Sequence, residues 1–158
     1  MASLISLPGA GIAAALFQRM ATRDRMDPRW LGWTWILGGI GLVGALLIGK
    51  PFVRIVFSSR YLPAYGLLFP LGLAAVVRGT TTLYNTFLAA HARGRELRNA
   101  AVVLAASNLV LNVALIPPFG AKGAAWASLL ALLANLAAHV VSYRRVVTGM
   151  RPESAEPG

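Results

Sequence analysis

The sequence predicts an all-α fold, a polytopic membrane helix bundle, and three observations carry that prediction. Apolar residues fill 57% of the 158 positions and charged residues only 13%, against roughly 45–50% and about 25% in an ordinary soluble domain. The apolar residues are gathered into long runs, and most basic residues stand in short clusters between them. The net charge is +10, from 15 basic and 5 acidic residues. Basic excess alone fits nucleic acid, anionic lipid or an anionic substrate equally well. Its placement between apolar runs assigns it to a lipid bilayer and calls for no nucleic acid. The chain has no cysteine, so a disulfide framework and a Cys-based metal or redox site are excluded.

Crossing roughly 30 Å of hydrocarbon takes about 20 apolar residues, and this criterion predicts about five transmembrane helices, at about 4–17, 31–49, 64–89, 99–116 and 121–142. The first run is short and contains Pro8. No Lys or Arg precedes Arg19, whereas a secretory signal has a basic leading region. It therefore reads as the trailing part of a span. Residues 146–158, ending in a stretch with Pro152, Glu153, Glu156 and Pro157, are expected to form a disordered cytoplasmic tail.

Orientation follows from the loops. Arg19, Arg23, Arg25 and Arg29 precede the second run, Arg93, Arg95 and Arg98 separate the third from the fourth, and Arg144, Arg145 and Arg151 follow the last. The opposite side holds Lys50, Arg54, Arg60 and Lys122. The ten-to-four split makes the first side cytoplasmic. Trp30, Trp33, Trp35 and Tyr143 are placed as interfacial anchors.

Two connecting segments are informative. Residues 51–63, PFVRIVFSSRYLP, are too short to span and are expected to lie in the interface as a helix or turn. In IPPFGAKGAA the pair Pro117 and Pro118 is expected to break the helix, and the Gly/Ala-rich restart to pack closely. A tight, buried helical hairpin results. Pro70 with Gly72 is expected to kink the third span.

Polar residues within spans carry the functional reading. Arg78 falls mid-span, where facing lipid costs about 2.5–3.5 kcal/mol or more. Thr82 and Asn85 follow at i+4 and i+7 on the same stripe. Asn108 and Asn112 form a second stripe, and Ser128, Asn135 and His139 a third. Such stripes either glue helices together or line a water-filled cavity in which a guanidinium presents its fork of donors to a phosphate. His139, close to the basic end, reads as an interfacial histidine. No acidic residue lies in any run, and no paired carboxylates, Ser/His/Asp set or metal-ligand spacing occurs. No enzymatic activity, metal or cofactor is expected.

The stretch LYNTFLAAHARGRELRNAAVVLAASNLVLNVALIPPFGAKGAAWASLLA resembles the C-terminal lobe of polysaccharide biosynthesis flippases, the Wzx-like branch of the multidrug/oligosaccharidyl-lipid/polysaccharide exporter superfamily. The matching elements are Leu88 to Gly94, Asn108 to Asn112, and Ile116 to Ala125. Upstream, PFVRIVFSSRYLPAY is similar to an external segment of that family, with Ser58 and Ser59 where a glycine is usual. The resemblance covers roughly residues 5 to 145. It implies the partial C-terminal lobe of a two-lobed flippase, with substrate-binding residues expected at Arg78, Thr82, Asn85, Asn108 and Asn112. It further implies that the partners are a lipid-linked (undecaprenyl-pyrophosphate) oligosaccharide and a polysaccharide polymerase with glycosyltransferases, and that the protein is a multi-pass protein of the cell inner (cytoplasmic) membrane. The alternatives are a drug/cation antiporter of the same superfamily and a small non-transporting membrane scaffold.

The charge split is directly testable, because the chain provides a cysteine-free background. Single cysteines at Ser59 and Gly94 are expected to label from opposite sides of the membrane, Ser59→Cys from outside. External labelling of both would reverse the orientation.

Overall fold

The structure, a computed structural model, describes residues 17, 19–23, 25–57 and 65–149, apart from the side chains of Lys50 and residues 52–57. Among these residues the chain is all-helical: α1 is Pro28–Phe57, α2 is Leu68–Ala90 and α3 is Gly94–Gly149. The expected span at 4–17 lies outside the described residues except for Phe17. The expected tail begins later than residue 146, since α3 runs to Gly149.

Among the described residues two helices, α1 and α3, are long and apolar enough to cross a membrane, which is fewer than the four anticipated runs that fall there. The difference has physical causes. Arg78, Thr80, Thr81, Thr82 and Asn85 dilute the hydropathy of α2. The fourth and fifth runs are merged into the 56 residues of α3, whose one non-helical backbone position is Gly120. The prolines do not place the break. A proline's fixed φ suits a helix, and at 117 and 118 the missing amides leave only two carbonyls at an exposed end without helical partners. Gly120 instead adopts φ 55° and ψ −132°, a region open essentially to glycine.

The two limbs of α3, residues 94–119 and 121–149, are turned sharply against each other. Gly123 is buried, and a Cβ built on it would fall onto the carbonyl oxygen of Leu115. Residues eight apart in a straight helix are separated by about 12 Å, so the chain has doubled back. The hairpin is tight, as anticipated, but its tip is not buried: residues 116–122 are all exposed.

Prolines elsewhere are likewise absorbed. Pro51 lies within α1, which continues to Phe57, so residues 51–57 extend the helix instead of forming a separate interfacial element. Residues 58–63 lie outside the described residues. Pro70 falls in the first turn of α2, where no helical partner is lost, and the helix runs on unbroken to Ala90. There it closes with Ala92 in the left-handed region at φ 55°. The Arg93 amide donates to the Leu88 carbonyl at 2.9 Å and the Ala92 amide to the Ala89 carbonyl at 3.0 Å, the paired bonds of a Schellman ending.

Helix α2 is central. It packs against α1 on one side and α3 on the other. Toward α3 it buries Ala74 and Val77 against Leu129, and Leu83, Tyr84, Phe87 and Leu88 in a second cluster with Met20, Met26 and Val146. Toward α1 it forms an apolar groove of about 410 Å³ with small residues on both walls, among them Gly38, Gly41, Gly72 and Gly79. The outer surface is apolar: Leu47 is 71% exposed and Val113 68%. Exposed apolar surface of this kind marks a face that meets a membrane or another protein.

Helix-limb contact at Gly123 sets the expected outcome of substitution there. Gly123→Leu should reduce the yield of folded, monodisperse protein in detergent by roughly tenfold through overpacking. Gly41→Ala, whose Cβ meets nothing within 4 Å, serves as the tolerated control. Equal yields would mean that the limbs do not pack at this point.

Candidate functional site

The third side of α2 faces away from both neighbours. Its buried residues toward α3 and its small residues toward α1 leave a sector occupied by Arg78, Thr82 and Asn85, all exposed. The i, i+4, i+7 spacing thus does place them on one stripe, and the stripe points out of the described bundle. The Thr82 hydroxyl donates to the Arg78 carbonyl at 2.9 Å and the Thr86 hydroxyl to the Thr82 carbonyl at 2.8 Å. These local bonds satisfy the hydroxyl protons without using the guanidinium. Among the described residues, the Arg78 guanidinium forms no ion pair; the one salt bridge there joins Arg23 to Asp27 at 3.8 Å.

Asn108 and Asn112 are in a different situation. Both are half-buried on the first limb of α3, on the line that runs from buried Ala100 through Leu104 and Leu111 to Leu115 and faces the second limb. The Asn112 side-chain amide donates to the Asn108 side-chain oxygen. This pairing lies within one limb, so the two amides satisfy each other in part on their own helix. No hydrogen bond joins the pair to Arg78, Thr82 or Asn85 among the described residues, so the five anticipated residues form two separate groups.

The third stripe is buried. The Ser128 hydroxyl donates to the Ala124 carbonyl at 2.9 Å, while Asn135 is 5% and His139 3% exposed. His139 is therefore buried inside the bundle. Its spacing from Asn135 was visible in the sequence, but the burial of that face is set by the arrangement of three helices. Thr80 and Thr81 on α2 are buried as well, each bonded to the carbonyl four residues back. Sequence reading passed over them because a helical threonine that satisfies itself leaves no signal.

The basic end is built by tertiary contacts. Met20 and Met26 are buried beneath Tyr84, Phe87 and Val146, and the Met26 amide donates to the Tyr143 hydroxyl at 3.1 Å. The Arg23 guanidinium lies 5.9 Å from the Trp30 ring centroid. These contacts hold the segment bearing Arg19, Arg23 and Arg25 against the ends of α2 and α3, beside Arg93, Arg95, Arg144 and Arg145. Trp30 packs on this cluster, whereas Trp33 and Trp35 are exposed.

Compared with protein-family models, curated proteins and solved structures, the chain matches none.

A double-mutant cycle tests the asparagine pair. Asn108→Ala and Asn112→Ala should each destabilise the chain by about 1 kcal/mol, and the double variant by little more than either alone, since both remove the same bond. Additive losses in reversible unfolding in mixed micelles would show that the two amides act separately.

Proposed function

We propose that this chain is the C-terminal portion of a multi-pass transporter in the cytoplasmic (inner) membrane, one that flips undecaprenyl-pyrophosphate-linked oligosaccharide for surface polysaccharide synthesis. In this reading α1, α2 and the two limbs of α3 are four spans, and the run at 4–17 is a fifth. The observation that supports it most is the exposed stripe of Arg78, Thr82 and Asn85 at the middle of α2. A mid-span arginine cannot face lipid without a cost of several kcal/mol. It needs a polar surround beyond the described helices. A cavity closed by a second lobe supplies that surround, and an unpaired guanidinium there recognises pyrophosphate oxygens in a way that an ion-paired one cannot. The sequence resemblance supplies the substrate class, and from it follow a polysaccharide polymerase and glycosyltransferases as partners. Drug/cation antiport is the weaker reading. The coupling carboxylates usual in that class have no counterpart here, since the acids among the described residues, Asp27 and Glu96, both stand at helix ends.

Arg78 is the residue to test, in the full-length transporter. Arg78→Gln is expected to abolish surface polysaccharide export at normal protein abundance, and Arg78→Lys to retain part of it because the charge survives without the fork. If Arg78→Gln lowers abundance while export per molecule stays normal, Arg78 is a structural residue and the substrate binds elsewhere.

A further inference from the structure

We propose that the arginine end of the bundle binds an anionic phospholipid, its phosphate held between side chains from three segments that lie far apart in the chain. The placement follows from one buried cluster. Met20, Met26, Leu88 and Val146 all belong to it, and an arginine is tied to each of them. Arg19 precedes Met20, Arg25 precedes Met26, and Arg144 and Arg145 lie between Tyr143 and Val146. The Arg93 amide donates to the Leu88 carbonyl at 2.9 Å. The Met26 amide donates to the Tyr143 hydroxyl at 3.1 Å, so Arg25 and Arg144 are the chain neighbours of two directly bonded residues.

These side chains are set outward and are short of partners. The cluster takes the apolar residues inside and leaves their neighbours at the surface: Arg19, Arg25, Arg144 and Arg145 are exposed, and Arg93 is half-buried. Among the described residues none of the five forms an ion pair. The one salt bridge there uses Arg23 and Asp27. Glu96, the other described acid, stands in the first turn of α3, and Asp24 lies outside the described residues. Like charges gathered at one end repel one another, and an anion seated among them removes that cost. The planar fork of a guanidinium matches two phosphate oxygens at once.

The anion that this position selects is a lipid headgroup. The surface beyond the arginines is apolar: Trp33, Leu37 and Ile40 are all exposed on α1, about 8 to 18 Å along the helix axis from Pro28. A phosphate without acyl chains gains nothing from that surface. A phospholipid gains at both ends, with its phosphate on the cations and its chains along the apolar faces. Basic pockets at the cytoplasmic ends of membrane helices hold anionic headgroups in this manner.

The proposal rests on the membrane part of the reading above and not on transport, and the experiment separates the two. The purified full chain carries Trp126→Phe, which leaves Trp30, Trp33 and Trp35 as reporters. It is reconstituted in phosphatidylcholine vesicles that contain brominated phosphatidylglycerol or, in parallel, brominated phosphatidylcholine. Quenching of tryptophan fluorescence then gives the association constant of the anionic lipid relative to the zwitterionic one. At about 0.15 M salt, where exposed charges more than about 8 Å apart are screened, that ratio is expected to be about five or more. Arg25→Gln combined with Arg144→Gln, both at exposed positions, should bring it below about two. Lys50→Gln combined with Lys122→Gln removes the same charge from the opposite side and should leave the ratio unchanged. The proposal is overturned if the ratio is near one in the parent chain, if the arginine variant keeps the full preference, or if the lysine variant loses it equally, which would make net charge the cause. Quenching by neither lipid would overturn the membrane reading itself, and this proposal with it. The parent chain yields the first result alone, so the test decides even should the arginine variant fail to fold.

Discussion

The architecture at the arginine end depends on one aromatic cluster centred on Phe87. That ring is fully buried, 5.0 Å from the Tyr143 ring in an edge-on arrangement, and Tyr143 stands 5.4 Å edge-on from Tyr84. Such pairs contribute about 0.5–1.5 kcal/mol each beyond their area. Their larger effect is geometric. The cluster joins α2 to the second limb of α3, receives Met20 and Met26 from the preceding segment, and gives Trp30 and Leu31 of α1 a surface to pack on. The hydrogen bond from the Met26 amide to the Tyr143 hydroxyl, 117 residues apart in the chain, then fixes the segment that carries the first arginines. Charges distant in sequence are thereby brought to one end.

Away from that end, contact is made by small residues. Small residues let helix backbones approach closely, which strengthens the packing between them. The groove between α1 and α2 shows this. Glycines on each wall bring the helices together, and the volume left between them is apolar. The limbs of α3 meet in the same manner at Gly123. With two sides of α2 committed to such contacts, its polar residues are left on the third.

How much of this was legible depends on whether the governing force is local. Helical content, the apolar character of the runs and the alignment of Arg78 with Thr82 and Asn85 all follow from composition and the helical repeat, and the structure agrees with them. Helix breaks were less legible. Pro51, Pro70 and the pair at 117 and 118 each looked like an interruption, yet each is accommodated, because a proline near a helix end, or one whose partner carbonyl is exposed, removes little. The real break at Gly120 requires a positive φ, which many glycines could adopt and few do.

The sequence by itself determined the apolar character of the long runs, the helical repeat, the grouping of polar residues into stripes and the segregation of basic residues into the connecting segments. Each is a property of neighbours along the chain, where spacing alone sets the outcome. Only the tertiary structure decided which stripe is outside and which is inside. Arg78, Thr82 and Asn85 are exposed and His139 with Asn135 is enclosed because α2 spends two of its sides on helices and α3 folds back on itself. Burial is a relation between segments far apart in the chain, and no local pattern encodes which face of a helix will meet a neighbour.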